Sequence, residues 1–321
     1  MTGRYRPSVD IDVLGEPYQR QTIELGKDDE GPVVATLVRR RAEAPAGRAV
    51  LYVHGFVDYF FQTHLADFYT ERGWHFYAVD LRKHGRSLLE HQTPNFCHDI
   101  TDYYPEVDEA VRQIREDGHE TVLLNGHSTG GLLAALWAHD HRDASLVDAL
   151  FLNSPFFDLN APWLLRRPGA AAIGGGLGRA RPYRVIPFAL PGTYGSSLHS
   201  DHHGEWSYDL AWKPLVGFPI RAGWLRAIRS AQRRLQAGLD IPVPVLVARS
   251  GASYRGRWSP AAMSADAVLD VAHMSRWAPG LGRHVTLVRI DGGLHDLMLS
   301  AEPVRKRMLT ELDRWLTAYV A

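Results

Sequence analysis

Residues 122–131 read VLLNGHSTGG, an apolar run that stops at a cluster of glycines with one serine among them. The run has the make-up of a buried strand, and the following TGGLLAALWAHD that of a helix, so Ser128 stands where one gives way to the other. Gly126-His127-Ser128-Thr129-Gly130 fits G-x-S-x-G, the pattern of a tight turn that lifts a serine hydroxyl above a sheet. A Cβ two residues to either side would crowd the strand and the helix. Alone, the pentapeptide also suits a glycine-rich turn with Ser128 as a helix N-cap, and the surrounding sequence has to separate the two readings.

Outward from this turn, short apolar runs alternate with helical periods. QTIEL and PVVATLVRR read as an opening hairpin turning between Gly26 and Gly31. AVLYVHG (49–55), the strand of HFYAVDLRKHGRS (75–87), VDALFLNSP (147–155), IPVPVLVARS (241–250) and HVTLVRIDGG (284–293) read as further strands. YPEVDEAVRQIRE (104–116) has the apolar spacing of an amphipathic helix, and EPVRKRMLTELDRWLTAYV, with Pro303 in its first turn, closes the chain as another. This alternation predicts an α/β fold, a doubly wound and mostly parallel sheet. The rhythm breaks at 157–240, which holds a glycine run read as a loop (168–178), several prolines and the basic helix GWLRAIRSAQRRLQAG. Residues 1–156 and 241–321 are therefore expected to form the core, and 157–240 an inserted cap over its C-terminal edge.

Composition narrows the function. The 321 residues are 45% hydrophobic and 22% charged, a globular balance. Lys+Arg and Asp+Glu both number 36, which gives no electrostatic reason to expect nucleic acid as a partner. MTGRYRPSVDID lacks the apolar stretch of a secretory signal, and no segment has the length of a membrane span, so a cytoplasmic protein is expected. Cys97 is the only cysteine; without a partner or an exposing turn it reads as an inert thiol. LHSDHH (198–203) brings three histidines and Asp201 together, but adjacent loop histidines converge poorly on one ion, and no metal is expected.

A serine becomes a nucleophile only when a histidine takes its proton. His295, in IDGGLHDLMLS, follows a strand on a glycine-softened loop and is the best-placed base; read otherwise, it is an exposed loop residue. His273 lies in a helical run and His284 opens a strand, which makes them weaker alternatives. Two backbone N–H groups must face the oxyanion. Thr129, the residue after the serine, supplies one, and Phe56, in the HGF that ends the strand at 49–53, supplies the other. His54 is read as a support for that loop.

YVHGF, AVDLRKHGRS, NGHSTGG, NSP, IPVPVLV and GGLHD together resemble the monoacylglycerol lipase and lysophospholipase branch of the α/β-hydrolase superfamily, which also contains the serine aminopeptidases. The resemblance covers roughly 48–156 and 241–320. It implies a Ser-Asp-His triad and ester hydrolysis with no cofactor. Where family members often have H-G-x-G-E-H, this chain has His54-Gly55-Phe56-Val57-Asp58-Tyr59, so Asp58 stands for the acid, Val57 replaces a glycine, and Tyr59 and Phe60 join the expected rim of an acyl pocket. The family places its triad acid just after the strand matching PVLVARS, whereas SGASYRGRWSPAAMSA holds no carboxylate. Asp266 in DAVLD recovers the D-x-V-x-D pattern behind an insertion of about a dozen residues, with Asp270 as the alternative.

The basic helix sets Trp224, Ile228, Ala231 and Leu235 on one side and Arg226, Arg229, Arg233 and Arg234 elsewhere. It reads either as plain packing, or as an apolar wall that, with Trp163, Trp206 and Trp212, lines an acyl tunnel while the arginines meet a phosphate head group or a membrane surface. The expected partner is a small-molecule or lipid ester. Lactone, thioester or amide cleavage, acyl transfer and non-catalytic ligand binding remain as alternatives.

Overall fold

The computed structural model describes residues 9–160, 176–187 and 192–320. Its strands are β1 (Val9–Ile11), β2 (Gln19–Asp28), β3 (Gly31–Arg40), β4 (Arg48–Val53), β5 (Trp74–Asp80), β6 (Thr121–His127), β7 (Ala149–Asn153), β8 (Val245–Ser250) and β9 (Val285–Ile290). They form one nine-stranded sheet in the order β1-β2-β3-β5-β4-β6-β7-β8-β9. β1, β2 and β3 join antiparallel to one another and to β5; from β5 to β9 every pairing is parallel. The helices are α1 (Thr63–Thr70), α2 (Tyr104–Glu116), α3 (Thr129–Asp140), α4 (Thr193–Leu198), α5 (Ala222–Gln236), α6 (Val271–Trp277) and α7 (Glu302–Tyr319).

Strand alternation sorts the apolar side chains onto two faces. Leu51, Val53 and Leu124 point into a core shared with Val107 and Val111 of α2, Leu132 and Leu136 of α3, and Trp224 and Ile228 of α5. Their neighbours Val50, Tyr52 and Leu123 point the other way, onto Leu65 and Phe68 of α1 and Met308 and Leu312 of α7. Helices on both faces bury the central strands, which accounts for their unbroken apolar runs.

The hairpin, the parallel strands and helices α2, α3, α5 and α7 fall where the sequence puts them; α1 and α4 are additional, and two strands differ. β1 is an additional edge strand whose residues are all exposed, so it carries no burial signal. Strand β8 starts at Val245 because Pro242 and Pro244 withhold ladder N–H groups; upstream, Ile241 makes only an isolated bridge to Gly282. Among the described residues, no helix is long and apolar enough to cross a membrane.

Between β7 and β8 the chain meets the loops at the C-terminal ends of the parallel strands. Trp206 donates its indole N–H to the Leu299 carbonyl, and the Asp209 amide donates to the Tyr59 hydroxyl. The Trp224 ring lies on Phe56, with centroids 4.0 Å apart.

Candidate active site

The strand β6 and the helix α3 meet at Ser128, whose backbone has φ 53° and ψ −115°. A side chain in this left-handed region is strained, and the surroundings must hold it there. The Ser128 amide donates to the Asn153 carbonyl at 3.0 Å, and the Ser128 carbonyl accepts from Phe156 at 2.9 Å and from Gly131 at 3.0 Å. Helix and strand come so close that a Cβ on Gly130 would lie 2.3 Å from the His54 carbonyl oxygen. Ser128 makes no side-chain cap bond to α3. Its hydroxyl is directed instead at His295, so the N-cap reading falls away.

His295 Nε2 lies 2.9 Å from Ser128 Oγ, and His295 Nδ1 lies 2.9 Å from Asp266 Oδ2. A carboxylate only accepts, so Nδ1 carries the hydrogen and Nε2 presents its lone pair to the serine hydroxyl. All three residues are buried, Asp266 completely. The other Asp266 oxygen accepts from the Val268 and Leu269 amides, both at 2.8 Å, which fixes the carboxylate plane.

Asp266 reaches this place because residues 254–265 leave the sheet end and return. The Asp266 amide donates to the Ala252 carbonyl, the Tyr254 amide donates to the Asp266 carbonyl, and a bridge pairs Asp266 with Ser253. The excursion therefore opens and closes at one point and leaves the acid directly beyond β8. Asp270 serves elsewhere: it caps α6 by accepting from the Ala272 amide and pairs with Arg255 at 2.9 Å.

The turn after β4 approaches from the opposite side. A Cβ on Gly55 would stand 3.0 Å from Ser128 Cβ, so a glycine there lets the turn that continues into Phe56 lie close against the serine. Thr129 is the first residue of α3, and its amide belongs to the set that a helix start leaves without intrahelical partners. His54 Nε2 accepts from the Leu81 amide at 3.0 Å, which leaves Nδ1 to donate to the Gly55 carbonyl at 2.8 Å. The loop-supporting place expected of His54 is thus occupied on both ring nitrogens.

Two neighbours, Tyr194 and His127, carry no sequence signal as site residues. The Tyr194 ring stands edge-on to His295 at 5.4 Å, and its hydroxyl accepts from the Asp296 amide. Burial holds the phenol well above its ordinary pKa, so it stays protonated. The His127 ring lies tilted against that of His295, centroids 4.9 Å apart, and burial keeps its pKa below the ordinary value although Asp296 acts to raise it. Asp58, 2% exposed, pairs with Lys213 at 2.6 Å. Burial works to raise its carboxyl, but Lys213, with His127 and His54, brings the balance below the usual range.

Of the expected pocket residues, Phe60 is a correction. It is fully buried among Tyr18, Tyr52 and Phe76 on the α1/α7 side of the sheet, so it is core and no pocket wall. Tyr59 packs edge-on to Trp212 in a separate cluster with Phe61 and Tyr208. Trp163 lies outside the described residues. The four arginines of α5 are engaged at home: Arg229 with Asp158, Arg234 with Asp140, Arg226 with the His98 carbonyl and Arg233 with the Arg229 carbonyl. Burial pushes the Cys97 thiol far up, in keeping with an inert group. In 198–203, His199 and Asp201 stand 3.6 Å apart while His203 stacks on Trp258; no metal-holding group of side chains occurs among the described residues.

Known proteins carry the same architecture. Over 196 residues the chain is 35% identical to the uncharacterized protein YnbC of Escherichia coli K12, a match covering 60% of this chain and 31% of that protein. The chain thus spans about a third of the length of this curated relative. The solved monoacylglycerol lipase of Paleococcus ferrophilus superposes with a TM-score of 0.65 at 19% identity, covering 88% of this chain and 98% of that one. A soluble variant of the monoglyceride lipase of Saccharomyces cerevisiae gives 0.64 at 14%, covering 98% and 96%. A thermostable carboxyl esterase of Bacillus coagulans gives 0.66 at 12%, covering 94% and 99%. At these identities the structures establish the fold, that of an α/β-hydrolase. The family model described as serine aminopeptidase, S33, matches residues 44–302, most of the chain, and the protein belongs to that family.

Proposed function

We propose that this protein is a serine hydrolase that cleaves carboxylic esters through an acyl-enzyme, with Ser128 as nucleophile, His295 as base and Asp266 as the acid that orients it. The observation that carries the reading is the unbroken series from a strained, glycine-flanked serine to imidazole to buried carboxylate, with both contacts at 2.9 Å. His295 Nε2 takes the Ser128 proton as Oγ adds to the ester carbonyl, and Asp266 balances the charge that the ring acquires. The Phe56 and Thr129 amides hold the oxyanion. His295 then returns the proton to the departing alcohol, and a water activated by the same ring releases the acid. Every group is supplied by the chain, and no cofactor enters.

The substrate class follows from the insertion. We read 157–240 as a cap, because its described part meets the loops at the C-terminal ends of the parallel strands through Trp206 and Asp209. Its helix arginines are bound to the protein's own acids and carbonyls, which favours an uncharged head group. A monoacylglycerol is therefore preferred over a lysophospholipid. The test is hydrolysis of an acyl-chain-length series of monoacylglycerols and p-nitrophenyl esters, with lysophosphatidylcholine in parallel, together with fluorophosphonate labelling. Ser128→Ala is expected to abolish labelling and lower kcat by about 10⁶; near-full hydrolysis by that variant overturns the mechanism, and lack of turnover on every lipid overturns the substrate class.

A further inference from the structure

The turn that carries the Phe56 amide holds a second strained residue. Val57 has φ 51°, a backbone conformation that a β-branched side chain avoids, and it is buried. Family members often have glycine at this position, where the strain would vanish. In this chain the strain stays, and something must over-determine the turn.

Two contacts do so, and both reach to one short segment of the insertion. Lys213, its side chain 8% exposed, places Nζ 2.6 Å from Asp58 Oδ1, one residue beyond Val57. The Asp209 amide donates to the Tyr59 hydroxyl at 2.8 Å, two residues beyond. The Lys213 ammonium also faces the rings of Phe61, Tyr194 and Tyr208 at 5.6–6.0 Å, so few positions other than the one beside Asp58 are open to it. Asp58 in turn aims Oδ2 back at the Gly55 amide, 3.5 Å away at the start of the turn. A buried ion pair of this kind contributes little net stability, but losing one partner strands the other charge. Its effect is to fix geometry.

We infer that residues 209–213 act as a latch, in which the Lys213–Asp58 pair and the Asp209–Tyr59 hydrogen bond hold the strained Gly55–Val57 turn so that the Phe56 amide faces the oxyanion. Lys213 and Asp58 are positioning residues that act through the backbone of the turn. When residues 209–213 move away, Val57 relaxes out of the left-handed region and carries the Phe56 amide with it. Seating of the insertion and completion of the oxyanion hole are then one event. This deepens the reading of Phe56 as an oxyanion donor and rests on it.

The test is a double-mutant comparison of kcat and KM for p-nitrophenyl butyrate, on wild type, Lys213→Met, Val57→Gly and the combination, each checked for folding by circular dichroism. Lys213→Met is expected to lower kcat on the order of tenfold to a hundredfold with KM within about threefold, as a misplaced oxyanion donor does. In the Val57→Gly background the same substitution is expected to cost only a few-fold, because a glycine turn holds its place without the latch. Equal losses in the two backgrounds, or a wild-type kcat in Lys213→Met, overturn the latch. Should Lys213→Met fail to fold, Asp58→Asn/Lys213→Met removes both charges and is compared in the same way. Fluorophosphonate labelling of Ser128 separates the two levels: if wild type does not label, the serine mechanism is at fault; if wild type labels and the two backgrounds respond alike, only the latch is.

Discussion

Asp266→Asn tests the orienting role of the acid through a consequence that the hydrogen-bond pattern dictates. One Asp266 oxygen accepts from two amides, Val268 and Leu269, both at 2.8 Å. An asparagine must keep its carbonyl oxygen there, since turning its NH2 toward two N–H donors would leave three buried donors facing one another. The NH2 group then faces His295 Nδ1, now 2.9 Å from the carboxylate. Two donors cannot share that contact, so the imidazole moves its hydrogen to Nε2 and accepts at Nδ1. Nε2–H then points at Ser128 Oγ, 2.9 Å away, where a lone pair is needed. The geometry survives while the base is lost. A tautomer error of this type lowers kcat by about 10⁴, or about 5.5 kcal/mol of barrier. The assay is kcat and KM on p-nitrophenyl butyrate with the rate of fluorophosphonate labelling, and the expected loss falls on kcat and on labelling alike. Asp270→Asn is the control: asparagine caps helices as well as aspartate does, and the partner Arg255 is 62% exposed, so near-wild-type turnover is expected. Turnover within tenfold of wild type for Asp266→Asn, with collapse in Asp270→Asn, would refute the reasoning.

Other expectations follow from packing and burial. His84 is buried, and burial with His54 close by lowers its pKa from 6.5 to about 3. The unfolded chain takes up this proton first, so the stability it contributes is present above about pH 6.5 and is lost as pH falls toward 3, amounting to about 2 kcal/mol by pH 5. His84→Gln, which can still donate to the Arg82 carbonyl, is expected to flatten that part of a urea-midpoint-against-pH curve; an unchanged slope counts against the assignment. Gly130→Ala sets a Cβ 2.3 Å and 2.4 Å from two backbone oxygens that cannot yield, and a loss of at least about 3 kcal/mol is expected in urea unfolding. Trp224→Ala, which removes a buried ring from Phe56 and the α3-side core, is expected to cost about 3–5 kcal/mol in the same assay, and a loss under 1 would show the contact to be incidental.

What could be read in the sequence is what depends on neighbours along the chain. The apolar runs, the serine turn and the glycine at 55 are local patterns, and each falls on the element it predicts. Asp266 is legible through D-x-V-x-D and its interval before His295, while the distance from β8 in sequence misleads because the loop returns to its starting point; the Ser253–Asp266 bridge that closes it has no local signature. Phe60 looked like a pocket residue because it follows the serine-facing turn, yet its ring goes to the other face of the sheet, and that depends on how the chain bends after Tyr59. Lys213 and Asp58 are 155 positions apart, and Tyr194 comes from a stretch without periodicity. Contacts of that kind arise from folding and have no sequence period to betray them.

Two buried aspartates lie near the base, and their surroundings explain why one belongs to the series and the other does not. Asp266 spends one oxygen on backbone amides and leaves the other to His295. Asp296, the next residue after the histidine, spends Oδ1 on the Asn153 side chain and the Met298 amide, and Oδ2 on Gln62. Both oxygens are turned to these partners and neither bonds the ring. Asn153 also accepts the Ser128 amide on its carbonyl at 3.0 Å, while its side chain grips Asp296 at 2.7 Å and faces the Leu297 amide. One residue at the end of β7 therefore holds the serine turn with its backbone and the histidine loop with its side chain. The serine turn and the histidine loop are thus tied to one point of the sheet. Residues 254–265 take no part in these contacts, and Asp266 meets the Nδ1 side of a ring whose loop Asn153 already grips through Asp296.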